Sequence, residues 1–206
     1  MLQGEDFIRL SPSIPNTKGW IWSDRPNPYE EWEVIVAFKV SGTSMHGGRG
    51  LAFWYTKDSK QSGPIFGSKD KWDGLSIWLD SANPVVRETH LKDKKKKADT
   101  YQNHKASTMA ILNDGTLSFA SGVDPRKHAL GTCSITYRNS PTPAYLKVTL
   151  KDNTLTVCVY NLLFLFFSPF IQCRSIWITA VKEKIIVFVY KDQASSYPLV
   201  TFLVFL

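Results

Sequence analysis

Residues 31–80 constrain the fold most. Three apolar strand patterns are joined there by glycine-bearing turns and a Gly63-Pro64-Ile65-Phe66-Gly67-Ser68 loop, and the last pattern ends on the carboxylate of Asp80. Trp32, Val34, Val36 and Phe38 alternate with Glu33, Ile35, Ala37 and Lys39, which predicts a strand with one strongly apolar face and one mixed face. Residues 50–55 and 74–79 are near-continuous apolar runs instead. Such runs suit strands covered on both faces, so a layered β structure is expected and a single open sheet is not.

Strand signals continue along the chain. Residues 108–112 and 116–120 predict a hairpin around Asn113-Asp114-Gly115. A second hairpin is expected over 144–159, where Tyr145, Lys147, Thr149 and Lys151 alternate with Leu146, Val148 and Leu150, and Lys151-Asp152-Asn153-Thr154 turns the chain. No segment before residue 160 carries a helical period, so the expected fold is all-β: an antiparallel β-sandwich with long loops at its ends. With 43% hydrophobic residues among 206, the chain can bury a real core as one domain with an appendage. Most of its seven Trp are expected in that core, although clefts that stack sugars also use Trp.

Charge excludes one class of partner. The net charge is +7, but the excess is concentrated in Lys92, Lys94, Lys95, Lys96 and Lys97, within a polar segment at 87–105 that also holds Asp93 and Asp99. Nucleic-acid surfaces interleave aromatics with basic residues, and Tyr101 is the single aromatic in the segment. A solvated loop is the reading, with no nucleic-acid partner. The cysteines Cys133, Cys158 and Cys173 allow one disulfide and leave one thiol, which is neither a disulfide framework nor a CxxC metal pattern. Residues 1–24 are polar and show no apolar signal-peptide core before Trp20.

Composition shifts near Val159. Residues 161–171 are almost purely apolar with four Phe, and 198–206 are apolar except for Thr201. A membrane-spanning helix needs about 20 apolar residues. The first run covers about half of that before Gln172 and Arg174, with Pro169 inside it. Core strands, an interfacial segment and a tail not selected to fold all stay open.

Enzyme chemistry finds little support. Glu31 and Glu33 flank Trp32 and share a strand face; a retaining β-sandwich glycosidase would place such carboxylates about 5 to 5.5 Å apart. The intervening acid of a Glu-x-Asp-x-x-Glu arrangement is missing, and a solvent face explains the pair as well. His46, His90, His104 and His128 lack metal spacing, and no Ser lies in a nucleophile elbow, so no enzyme is expected. Asp80 and Asp124, with backbone carbonyls and Asn83, would make an oxygen-rich site of the kind Ca²⁺ favours. Asp80 is equally readable as a strand-end turn residue and Asp124 as an Asx turn before Pro125.

The series Glu31-Trp32-Glu33-Val34, Gly50-Leu51-Ala52-Phe53-Trp54-Tyr55, Gly63-Pro64-Ile65-Phe66-Gly67-Ser68 and Asp73-Gly74-Leu75-Ser76-Ile77-Trp78-Leu79-Asp80-Ser81 closely resembles the L-type, legume-lectin-like cargo receptors. The resemblance runs on through Asn113-Asp114-Gly115, Cys133, Tyr137-Arg138-Asn139 and Leu155-Thr156-Val157, covering about residues 6–157. It implies a concanavalin A-like jelly roll, incomplete at its C-terminal end, with residues 1–158 as the lectin-like domain and 159–206 as an apolar tail without a family match. A reading frame that departs from the family near Val157 and a divergent tail both account for that end. Such receptors bind high-mannose N-glycans with Ca²⁺ in the membranes of the endoplasmic reticulum and Golgi. The partners implied are N-glycosylated cargo and, through homo- or hetero-oligomers, related lectins.

Position by position, Asp80 and Asp124 match the family's metal carboxylates, with Asn83 in the loop after Asp80. Arg49 and Gly50 fall on the sugar-contacting turn, where Arg49 replaces an Asp that accepts hydrogen bonds from mannose. A donor-only guanidinium there inverts the hydrogen-bond pattern and adds positive charge near the cation. Ser121 falls where the family has a sugar-contacting His, and Ser81-Ala82-Asn83-Pro84 lacks the family's aromatic and additional acids. Fungal-type members look similar here. The resemblance therefore implies that Ca²⁺ binding is weakened or lost, and that sugar binding rests on Arg49, Gly50, Asp80, Asn83 and Ser121. If sugar binding is lost, a lectin-fold interaction module is the alternative. A Cys133–Cys173 disulfide is implied by the family's spacing.

Overall fold

In a computed structural model, the described residues are 2–3, 7–12, 17–42, 50–80, 106–161, 185–190 and 198–205; at 2–3, 185–190 and 198–205 the description is of the backbone path. They form two six-stranded sheets. One runs in the order β1 (Leu2–Gln3), β2 (Ile8–Ser11), β13 (Pro198–Phe205), β4 (Trp32–Gly42), β10 (Ala144–Lys151) and β11 (Thr154–Asn161). The other runs β3 (Lys18–Trp22), β12 (Ile185–Tyr190), β5 (Gly50–Thr56), β7 (Asp73–Asp80), β8 (Ala106–Asp114) and β9 (Ala129–Ile135). Paired neighbours are antiparallel throughout. The expected antiparallel sandwich is present, and the only helical element among the described residues is a 3-10 turn at Pro125–Lys127.

Alternation builds the space between the sheets. Val36 and Phe38 of β4, Leu146 and Val148 of β10, and Leu155 and Val157 of β11 face Leu51, Phe53 and Tyr55 of β5 and Leu75, Ile77 and Leu79 of β7 in one buried cluster. Trp32 reaches across and stacks on Tyr55 at 4.7 Å between ring centroids. The opening strands thus divide: β4 lies in one sheet, whereas β5 and β7 are neighbours in the other.

The unbroken apolar character of β5 and β7 has a direct cause. Their second face, with Ala52, Trp54 and Trp78, packs with Met109 and Ile111 of β8 under Ile65 at the end of a short strand and Phe66, Trp72 and Phe119 from the connecting loops. Trp32, Trp54, Trp72 and Trp78 are all buried, which assigns these four to cores and not to a sugar-stacking cleft. The loop after β6 (Ser62–Ile65) makes this cover possible. Gly63 donates its N–H to the Gly67 carbonyl at 3.1 Å, and Phe66 takes a left-handed φ of 42°. That conformation costs about 1 to 2 kcal/mol in an L-residue; burial of the Phe66 ring against Trp78, 4.9 Å away, offsets it.

The second expected hairpin is β10–β11, with Asp152 and Asn153 at φ 50° and 56°, the left-handed pair that a two-residue I′ turn requires. The first is not formed. Residues 116–120 are a loop, and β8 pairs with β7 and β9 instead. Local side chains take the bonds a ladder would use: Asp114 accepts from the N–H and hydroxyl of Thr116 at 3.0 and 2.5 Å. Asn113 donates to the Leu117 carbonyl at 2.9 Å and accepts from its N–H at 3.2 Å.

Two stretches of the C-terminal segment enter the sheets. β12 lies between β3 and β5, and β13 between β2 and β4, whereas the apolar run after Asn161, residues 162–171, lies outside the described residues. Among the described residues no helix is long and apolar enough to cross a membrane. The lysine run at 92–97 lies outside the described residues.

Candidate functional site

The β5–β7 ladder ends at a narrow point where Gly50 stands opposite Asp80. Gly50 has φ +142°, and a Cβ added there would lie 2.0 Å from the Leu79 carbonyl oxygen. Only glycine permits this approach. On its other side Asp80 pairs with Ser107 of β8, and the buried Tyr137 hydroxyl donates to the Leu79 carbonyl at 3.0 Å, fixing the peptide that leads into Asp80. Asp80 is 6% exposed, a carboxylate enclosed at a strand end.

A second loop, residues 115–128, carries Ser121 and Asp124. The Asp70 carboxylate accepts from the Ser118 hydroxyl and from the N–H groups of Phe119 at 2.8 Å and Ala120 at 3.4 Å. Phe119 stacks on Trp72 at 5.2 Å and meets Trp78 edge-on at 5.5 Å. Ser121 donates its hydroxyl to the Ser118 carbonyl at 2.9 Å. Asp124 caps the 3-10 turn by accepting from the Arg126 N–H at 3.1 Å. The Arg126 guanidinium also donates to both of its oxygens, Nε to Oδ1 at 3.0 Å and Nη2 to Oδ2 at 3.1 Å. These side-chain bonds, then the backbone one, hold the Asp124 carboxyl below the usual carboxylate range.

Gly50 and Asp80 are therefore brought together, and Ser121 and Asp124 share one loop. Arg49 and Asn83 lie outside the described residues. Cys133 is disulfide-bonded and Cys158 is a free thiol; Cys173 lies outside the described residues. Sequence reasoning missed Arg126 and Asp70. The signal for Arg126 was its place two residues after an Asx-turn aspartate; Asp70 had none beyond following the 63–68 loop.

Asp80 and Asp124 are hard oxygen donors, the kind Ca²⁺ takes. Among the described residues no cluster of three or more His, Cys, Asp or Glu is placed to hold a metal ion, and both oxygens of Asp124 already serve Arg126; Asn83, the third donor considered, lies outside those residues.

The sequence profile of the legume-like lectin family matches residues 1–178. The chain belongs to that family. Among curated relatives of this legume-like lectin, mouse ERGIC-53 is 35% identical over 156 residues, covering 76% of the chain and 27% of the relative. Mouse vesicular integral-membrane protein VIP36 is 34% identical over 154 residues, covering 73% and 39%. The legume-like lectin thus spans well under half the length of either relative. Among solved structures, the VIP36 exoplasmic/lumenal domain in its Ca²⁺/Man₃GlcNAc-bound form superposes with TM-score 0.77 at 26% identity, covering 98% of this chain and 79% of that one. The Emp47p carbohydrate recognition domain, at 18% identity and TM-score 0.62, covers 99% and 82% and shares the fold.

The family and the fold are those of lectins. The carboxylates considered for a glycosidase are engaged elsewhere. Glu33 takes a 3.0 Å ion pair from Lys147 and a 3.1 Å bond from the Thr149 hydroxyl, and Glu31 accepts the Asp152 N–H at 2.9 Å. Glu33 in β4 and Glu31 just before it thus both tie to the β10–β11 hairpin.

Proposed function

We propose that this chain is the carbohydrate-binding domain of a glycoprotein cargo receptor of the endoplasmic reticulum and Golgi, taking high-mannose N-glycans at the loops around Gly50, Asp80 and Ser121. The observation that carries the reading is the glycine-only approach of Gly50 to Asp80 in a legume-like lectin, the point where the carboxylate and the sugar-contacting turn meet. VIP36 relatives described in Ca²⁺- and mannose-bound forms support it. Arg49 and Asn83 complete the proposed sugar contacts, and Cys133–Cys173 the disulfide. The lectin-like unit is proposed to be residues 1–158, with 159–206 supplying β12 and β13 to its two sheets. N-glycosylated cargo, oligomers with related lectins and membrane association belong to the same proposal. Nucleic acid and catalysis do not.

Asp80, Asp124 and Asn83 would hold Ca²⁺, which in such a site would order the sugar-facing loops. This chain's own residues set the starting point: Gly50 lets the turn approach Asp80, while Arg126 competes with a cation for the oxygens of Asp124. Replacing Arg126 with Gln is therefore expected to raise Ca²⁺ affinity by up to about fivefold, since an exposed ion pair opposes metal capture only modestly. Titration calorimetry on the sugar-free chain measures this; unchanged affinity would show that Arg126 does not compete.

The engagement of Asp124 favours a second reading, a lectin-fold protein-interaction module without sugar binding. Chromatography on immobilised high-mannose glycan, with and without EGTA, separates the two. Retention supports the lectin reading, and its loss in EGTA adds the cation. Failure to bind any mannose matrix would sink it.

A further inference from the structure

The carboxylate of Asp70 serves neither proposed ligand. It follows the tight 63–68 loop and is partly buried beneath a loop 48 to 50 residues further along the chain, where it accepts one hydroxyl and two amide hydrogen bonds. Bonds to an ionised acceptor are roughly twice as strong as neutral ones. Burial opposes the ionised form, and the bonds from Ser118, Phe119 and Ala120 outweigh it, so the carboxyl titrates below its usual range.

The bonds form a relay toward the proposed ligand contacts. Ser118 gives its hydroxyl to Asp70, and the Ser118 carbonyl receives the Ser121 hydroxyl. Two residues on from Asp70, Trp72 stacks on Phe119, so a polar and an apolar contact grip the same point. On the near side the loop is tied by Asn113 to Leu117. Beyond Ala120, Gly122 returns a 3.4 Å backbone bond to Phe119, and Asp124 then caps its own turn. The stretch bearing Ser121 therefore hangs between the Asp70 grip and the 3-10 turn.

We propose that Asp70 is a positioning residue for the ligand loop: by holding Ser118, Phe119 and Ala120 it sets where Ser121 and Asp124 stand. The consequence for binding rests on the lectin reading; the grip itself does not.

Amide hydrogen exchange followed by NMR, with glycan titration in parallel, tests this on the full chain. In Asp70→Ala, protection of the Phe119 and Ala120 amides is expected to fall about tenfold or more, while the β7–β8 ladder keeps its protection. Glycan affinity is expected to fall about tenfold with it. Asp70→Asn keeps an oxygen facing both amides and should restore most of each loss. Unchanged protection at Phe119 and Ala120 would overturn the proposal, as would an equal fall across β7 and β8, which would make Asp70 a general support of the sheet. If Asp70→Ala does not fold, Ser118→Ala removes the hydroxyl bond alone: faster exchange at Phe119 and Ala120 supports the grip, and unchanged exchange overturns it. A wild-type chain that binds no glycan defeats the lectin reading, and the exchange measurements still decide the positioning role.

Discussion

Replacing Gly50 with Ala is expected to destabilise the chain by about 3 kcal/mol or more and to lower its melting temperature by roughly 10 °C. Two costs combine. The φ of +142° is a conformation that a residue with a Cβ rarely adopts, and the new carbon would meet the Leu79 carbonyl oxygen at 2.0 Å, the Leu79 carbonyl carbon at 3.1 Å and Asp80 Cα at 3.2 Å. All three are backbone atoms of β7, held by its pairing with β8, so none moves without disturbing the ladder. Gly122→Ala isolates the first cost, because Gly122 has φ +88° and nothing within 4 Å of its added carbon. That substitution should cost about 1 kcal/mol. Circular-dichroism melts of the two variants measure the difference. Equal melting temperatures would show that the approach of Gly50 to Leu79 is not tight.

Trp72→Ala should be comparably severe, at about 3 to 5 kcal/mol for a buried Trp. Trp72 is fully buried, meets Trp54 edge-on at 5.1 Å, stacks on Phe119 and donates its indole N–H to the Gly74 carbonyl at 3.0 Å. Its truncation removes the centre of the cluster that β6 and the connecting loops cover. Trp72→Phe keeps a ring without the donor and is expected to cost about 1 to 3 kcal/mol, chiefly the lost indole hydrogen bond and the lost volume. Urea denaturation gives both values. A loss below about 1 kcal/mol for Trp72→Ala would mean that the loop cover is not a packed core.

Burial is the part of the fold that is legible in the sequence. Alternation in β4 and unbroken apolar runs in β5 and β7 announced a sandwich with one sheet covered on both faces, because burial writes itself into residue type. Residues 116–120 carry the same kind of alternation, with Leu117 and Phe119 between Thr116, Ser118 and Ala120. That pattern predicts a strand where the structure has a loop, because periodicity reports which side chains turn inward, not which partner satisfies the backbone. The Asn113, Asp114 and Asp70 side chains supply that partner, and no spacing rule contains it. The Asx-turn alternative for Asp124 is the geometry found, and its second bond pattern, to the Arg126 guanidinium, depends on how a long side chain folds back. Asp80 and Gly50 could be placed side by side only once the register between β5 and β7 was known.

The positions of β12 and β13 bear on how the molecule is made. Each is a late segment of chain inserted between strands from the first third: β13 closes the gap between β2 and β4, and β12 that between β3 and β5. During synthesis, β4 and β5 must wait with one open edge each until residues 185–205 arrive. Long-range pairing of this kind folds slowly and exposes strand edges to other chains. Until β12 and β13 are in place, those open edges are the points at which a nascent chain would pair wrongly.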